Sequence, residues 1–260
     1  MGDHRHHHHD ADHSSAHHRH RADHRRLHRH CGQHPSHGGD PQNAGRRSLS
    51  LRCAIFDLDQ TVATTAGLLY GSWNAAMAAI SRDPWTPEQI IELFGPSEHV
   101  ALRQTVGEDE FAVAMDAYLR HYHTHHGQVR VYEGIEGLLQ GLRGRGVFLG
   151  MVTGKGRATT EITLTLTGLR GLFDLVLTGD ELSRPKPAPE GIERILRAAG
   201  CSPSETVMIG DMPNDVLAAH AAGVEAVAAL WDCEWPEELR ASGPHHVFET
   251  VEALSDWLLT

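Results

Sequence analysis

Short apolar runs that stop abruptly at acidic turns constrain this chain more than any other feature. Cys53-Ala54-Ile55-Phe56 runs into Asp57-Leu58-Asp59-Gln60-Thr61, and Val207-Met208-Ile209 runs into Gly210-Asp211-Met212-Pro213-Asn214-Asp215. Runs of this length ending at polar turns read as buried parallel strands. In open α/β sheets, ligands bind beyond the carboxyl ends of such strands. Carboxylates gathered there without basic neighbours repel one another and draw protons at neutral pH. A hard divalent cation removes that conflict, and Mg²⁺ is the usual one where phosphate is the other ligand. The pattern points to metal-assisted phosphoryl chemistry.

A strand over residues 52–57 is followed by helical apolar spacing over 66–82. A second helix opens with Thr86 as N-cap and Pro87 at its first position, and Ser97 can cap a third. A fourth runs from Glu108 to about His126, with Phe111, Met115 and Leu119 on its apolar face. Four helices are too much for a simple crossover, so the chain is expected to carry a helical cap inserted after its first strand. A helix over 135–145 follows. Strands are expected at 147–152, 173–177, 206–210 and 224–230, and helices at 158–167, 189–199, 215–222 and 251–259. Regular alternation of this kind implies a parallel sheet covered on both faces. The expected division is a head (1–47), an α/β core (48–62 and 146–260) and a cap (63–145).

The head holds 14 of the 22 histidines and almost no apolar residues. It cannot bury enough surface to offset ordering entropy, and disorder is expected. Its imidazoles could hold Ni²⁺ or Zn²⁺, although a wrongly assigned start codon would equally produce such a stretch. With 8 Arg and 5 Asp the head carries +3, which leaves −14 of the total −11 for the body. An acidic body argues against nucleic acid as a partner. No apolar run approaches the ~20 residues of a membrane span, and the N-terminus lacks a secretory apolar region. The four cysteines form no metal or redox spacing and require no oxidising compartment, so a cytoplasmic protein is expected. Oligomeric state is not readable.

Asp57 and Asp59 stand two apart, and in extended chain such residues share a side. One could attack phosphorus while the other handles the leaving-group proton; the plainer alternative is an Asp-rich turn capping a helix. Thr153-Gly154 closes another strand, where a hydroxyl and a bare backbone N–H can meet phosphate oxygens. Lys186 is held between Pro185 and Pro187, and only one other lysine, Lys155, exists in the chain. Asp211 and Asp215 span a turn into a helix, where Asp is stabilising in any case. Separately most of these are ordinary turns; four strand ends supplying Asp/Asp, Thr, Lys and Asp/Asp together are not.

In this order DLDQT, VTGK, RPKPAPE and GDMPND resemble the four motifs of the haloacid dehalogenase superfamily, from about Arg52 to the C-terminus. VYEGIEGLLQGLRGRG and LFDLVLTGDELSRPKPAPE look like its phosphoglycolate phosphatase-like branch. The resemblance implies a Rossmann-like parallel sheet with an inserted all-helical cap, and a Mg²⁺-dependent phosphatase acting on a small phosphorylated metabolite, 2-phosphoglycolate first among them. It implies that Asp57 is the nucleophile, forming an aspartyl-phosphate, and that Asp59 is the acid/base and lends its backbone carbonyl to Mg²⁺. It further implies that Thr153 and Gly154 hold the phosphoryl group, Lys186 neutralises it, and Asp211 ligates Mg²⁺ with Asp215 supporting. Gln60, Thr64, Gly154 and Met212 depart from the usual residues. Alternatives are a sugar phosphomutase with the same motifs, or a metal-binding protein acting through the head. Asp59 speaks against dehalogenase chemistry, and a cap without lysine removes Schiff-base phosphonate cleavage. Arg82, Arg103, Arg120 and Arg130 are candidates for a substrate carboxylate.

Overall fold

The computed structural model describes residues 51–93 and 95–260; the head, with its expected disorder and its Ni²⁺ or Zn²⁺ binding, lies outside the described residues. From β1 (Cys53–Phe56) the chain passes a two-residue strand, β2 (Ala63–Thr64), into α1 (Ala66–Ala79), α2 (Pro87–Ile91), α3 (Glu98–Val106) and α4 (Glu108–Thr124). It returns through β3 (Arg130–Val131), which pairs antiparallel with β2. Then follow α5 (Ile135–Gly144), β4 (Phe148–Val152), α6 (Arg157–Leu166), β5 (Leu175–Leu177) and α7 (Glu190–Ala199). The chain ends with β6 (Thr206–Gly210), α8 (Pro213–Ala222), β7 (Glu225–Ala229), α9 (Pro236–Ala241), β8 (His246–Phe248) and α10 (Val251–Leu259).

Six strands form one parallel sheet in the order β5-β4-β1-β6-β7-β8. The connection from β1 goes one way to β4 and β5, then returns past β1 to β6. That reversal puts a crevice at the carboxyl ends of β1 and β6, the place where such sheets bind ligands. All four residues of β1 are buried, as a central strand covered on both faces requires. Ala54 and Phe56 pack with Leu138 and Leu142 of α5 and Leu254 and Leu258 of α10. Cys53 and Ile55 face the other way, toward Ile192 and Ile195 of α7 and Val216 of α8. The period-2 alternation of one strand thus serves two cores.

The helices after β1 bury a third cluster of their own, including Leu68, Trp73 and Met77 of α1, Leu102 of α3, and Phe111, Met115 and Tyr118 of α4. Thr86 caps α2 as expected: its hydroxyl accepts from Gln89 N–H while Gln89 Oε1 accepts from Thr86 N–H at 2.9 Å, a reciprocal box worth about 1 kcal/mol. Ser97 stands at the N-cap of α3, yet its hydroxyl makes no cap bond and is buried without a partner. Sequence spacing grouped α5 with this insert up to residue 145. Its apolar face of Ile135, Leu138, Leu139 and Leu142 instead packs on the sheet side, so the packed insert ends before α5. The β2–β3 ribbon at the insert's base, α9 and β8 are too short to leave a periodic signal. No helix among the described residues is long and apolar enough to cross a membrane.

Candidate active site

Asp57 is the first residue beyond β1, and its N–H continues the ladder to Ile209 carbonyl at 2.9 Å. Its Oδ1 accepts from Leu58 N–H at 2.8 Å and lies 3.1 Å from Lys186 Nζ. Asp211, just past β6, accepts from the Thr61 hydroxyl at 2.9 Å. Asp215 sits in the first turn of α8: its Oδ2 accepts from Met212 N–H at 3.0 Å and its Oδ1 from Lys186. The helix-cap reading of this residue and its membership of the cluster hold together, one oxygen serving each. Gly210 makes this possible, because a Cβ there would lie 2.2 Å from Asp215 Cγ. One carboxylate oxygen from each of Asp57, Asp211 and Asp215 falls within 4.8 Å of the others.

Three buried carboxylates against the single ammonium of Lys186 leave a formal −2 in a water-poor crevice. The electrostatics respond accordingly. Burial, reinforced by Asp215 and Asp59 against the pull of Lys186, pushes the Asp57 carboxyl up to about 7. Burial, then Asp57 and Asp215, hold the Asp211 carboxyl well above the usual range. Burial would lower Lys186, but Asp215 and Asp57 outweigh it and raise the ammonium. All-oxygen donors of this charge fit a hard divalent cation such as Mg²⁺ and suit softer metals poorly.

Asp59 stands apart from the three. Its carboxylate receives the Thr65 hydroxyl and lies 3.2 Å from Lys155 Nζ. The Asp59 side chain is 28% exposed and faces the cleft, while that of Lys155 is 1% exposed. The Lys155 ammonium also sits 5.0 Å from the centre of the Tyr122 ring of α4, a cation–π contact between a sheet loop and the insert. Burial works against the Lys155 charge, but Asp59 with Tyr122, Tyr118 and Glu98 raises it well above the lysine range. Thr153, at the end of β4, donates its N–H to Leu177 carbonyl and accepts Lys155 N–H at 3.2 Å on its hydroxyl. Gly154 lies beside it, and Gly179 must be glycine, since its Cβ would meet Gly154 carbonyl oxygen at 2.2 Å. Lysine scarcity was the signal for Lys155. Gly179 and Glu98 gave none, because each acts through a partner distant in sequence; Thr65 gave none, because no local pattern shows which way its hydroxyl turns.

Glu98, at the start of α3, accepts from Gly156 N–H at 2.8 Å and from the Thr159 hydroxyl at the start of α6. The insert is thereby tied to a helix N-terminus of the core, a favourable place for a carboxylate. Between them lies a cleft of about 150 Å³. Asp57, Asp59, Thr153, Gly154, Lys155, Lys186 and Asp211 line its floor, and Leu69, Trp73, Ile90 and Leu93 its far wall. The four insert arginines line none of it. Arg82 bonds Thr105 carbonyl at 3.1 Å, Arg103 pairs with Glu108 at 2.7 Å, Arg120 with Asp116 at 3.0 Å, and Arg130 holds Gly127 carbonyl at 2.6 Å. His121 and His125 stack at 4.0 Å, and among the described residues they belong to no three-ligand group.

The sequence model of the haloacid dehalogenase-like hydrolase family matches residues 54–229, spanning β1 to β7 and thus every residue named above in the floor. The chain belongs to that family and is an enzyme, a hydrolase. It is 29% identical over 207 residues to pyrophosphatase PpaX of Bacillus mycoides, covering 79% of this chain and 96% of the relative. Against PpaX of Bacillus anthracis it is 28% identical over 212 residues, covering 81% and 96%. Among solved structures, a predicted phosphoglycolate phosphatase from Haemophilus somnus superposes with a TM-score of 0.72 at 24% identity, covering 81% of this chain and 99% of that one. A hydrolase from Pseudomonas syringae superposes with a TM-score of 0.66 at 22% identity, covering 79% and 96%. These likenesses establish the fold.

Proposed function

We propose that the chain is a Mg²⁺-dependent phosphatase that cleaves small phosphomonoesters through an aspartyl-phosphate on Asp57. The observation that carries this reading is the buried group of Asp57, Asp211 and Asp215 gathered around one lysine at the switch point of the sheet. Mg²⁺ would be held by Asp57 and Asp211, with the Asp59 backbone carbonyl and with Asp215 supporting, and when bound it supplies charge neutralisation for the phosphoryl oxygens. Both protein contacts to the Asp57 carboxylate fall on Oδ1, which leaves Oδ2 for attack on phosphorus. As the new P–O bond forms, the ester P–O bond breaks, and the departing alkoxide takes a proton from Asp59. Water then attacks phosphorus, gives its proton to Asp59, and frees the Asp57 carboxylate. Lys186 offsets charge on the phosphoryl group, and Thr153 with the Gly154 backbone binds its oxygens.

Names of relatives favour pyrophosphate or 2-phosphoglycolate as substrate. The second was the choice from the sequence, and the insert arginines invoked for its carboxylate are engaged outside the cleft. We take residues 63–131 as the cap that covers the site, and place the enzyme in the cytoplasm, in keeping with free Cys53, Cys201 and Cys233. The test is phosphate release by the purified full chain from a panel of small phosphomonoesters, with Mg²⁺ and with chelator. Release that is strong with Mg²⁺ and absent with chelator is expected; release indifferent to Mg²⁺ overturns the reading.

A further inference from the structure

We infer that the leaving group of the preferred substrate is uncharged and largely apolar, a small alkyl or aryl alcohol rather than a carboxylate or a second phosphate. The inference rests on the phosphatase reading and narrows it to a substrate class. The floor of the cleft is committed to the phosphoryl group, so the leaving group must lie against the far wall. That wall presents Leu69, Trp73, Ile90 and Leu93, and the carboxylates Glu98 and Glu234 and the neutral amide of Asn214 also line the cleft. Among the described residues no arginine or histidine lines the cleft, and its two lysines are both held by site carboxylates, Lys186 by Asp57 and Asp215 and Lys155 by Asp59.

A second anionic group would therefore leave water for an apolar wall edged with like charge, which is costly without a partner. An apolar group gains from the same move, at roughly 25 cal/mol per Å² removed from water.

The experiment compares kcat/KM of the full chain with Mg²⁺ for n-butyl phosphate, phenyl phosphate, 2-phosphoglycolate and pyrophosphate. Butyl phosphate and 2-phosphoglycolate are the deciding pair, because both leaving groups are primary alcohols. Butyl phosphate is expected to lead 2-phosphoglycolate and pyrophosphate by at least about tenfold; equality with or preference for either anion overturns the inference. If no member of the panel releases phosphate, the phosphatase reading fails instead. Leu93→Arg and, separately, Leu69→Arg place a cation on the half-buried wall. Each should shift the ratio toward 2-phosphoglycolate by about tenfold, and an unchanged ratio in both folded variants also overturns the inference. Should neither variant fold, the wild-type ratio decides alone.

Discussion

The two walls of one cleft are built on opposite terms. The sheet side packs four charged groups into a buried crevice and leaves an excess of negative charge that a cation would offset. The insert side offers aliphatic and aromatic surface, while its arginines are spent on helix ends and surface pairs. Chemistry common to all phosphate esters can be fixed by the first wall, since the phosphoryl group never changes. Whatever distinguishes one ester from another meets the second. If this division is right, substitutions on the floor should abolish turnover for every substrate, and those on the insert should reorder substrates or do nothing.

The sharpest way to break the comparison is Asp57→Asn. The amide is nearly isosteric and keeps the Leu58 contact as an acceptor, so the fold should survive. Turnover should fall on the order of 10⁴-fold or more for every substrate, because an amide is a poor nucleophile toward phosphorus. A purified, folded sample retaining a tenth of normal activity would remove Asp57 from the role of nucleophile.

Lys186→Met set beside Arg120→Ala tests the contrast directly. The lysine variant deprives two buried carboxylates of their partner, and kcat should drop about 10²- to 10³-fold, as for loss of one preorganised donor. Arg120 pairs with Asp116 across an exposed helical turn, a contact worth about 0.3–0.5 kcal/mol. Its loss should leave kcat/KM within about twofold. Similar losses in the two variants would mean that the insert carries catalytic charge after all.

The excess of negative charge also has a thermal signature. The Asp57 carboxyl goes from an ordinary 3.8 to about 7 in the fold. Within that window the folded chain keeps a proton that the unfolded chain has lost, so the metal-free fold weakens as pH rises from about 4 to 7. Asp211, raised for the same reasons, acts in the same direction. A bound cation relieves the repulsion and adds binding energy to the folded state alone. Calorimetry should show saturating Mg²⁺ raising Tm by several degrees at pH 8 and by much less at pH 5. An equal rise at both would place the cation elsewhere.

The two walls differed just as much in how far the sequence disclosed them. Asp57, Lys186, Asp211 and Asp215 were legible because each ends an apolar run or sits in a stiff loop, and local pattern announces such positions. The parallel sheet followed from the strand and helix periods for the same reason. Lys155 and Glu98 depend on partners 96 and 58 residues away, and only packing reveals which side chain meets which. The arginines show the converse. A basic residue on a cap helix reads as a ligand for an anion, but Arg103 turns to Glu108 and lies 4.1 Å over the Phe111 ring. The direction of a side chain on a helix is a tertiary fact.

Gln60 tests the seam between the walls and carries the smallest expected effect. It occupies the left-handed region at φ 53, a conformation that costs an ordinary side chain about 1 kcal/mol and glycine almost nothing. In compensation its Oε1 accepts from Thr65 N–H at 3.4 Å, while the Thr65 hydroxyl gives its one hydrogen to Asp59. The bond from Thr65 N–H is long and so worth little. Gln60→Gly removes the strain and the bond together, while a more flexible unfolded chain takes back part of the gain. Stability measured by urea denaturation should stay within about 1 kcal/mol of the parent, and kcat should change less than about threefold, because Lys155 still holds Asp59. A loss beyond about 2 kcal/mol, or a kcat that collapses with Mg²⁺ affinity intact, would show that this one amide fastens Thr65 and Asp59 in register, and that the seam contributes to catalysis as much as the floor does.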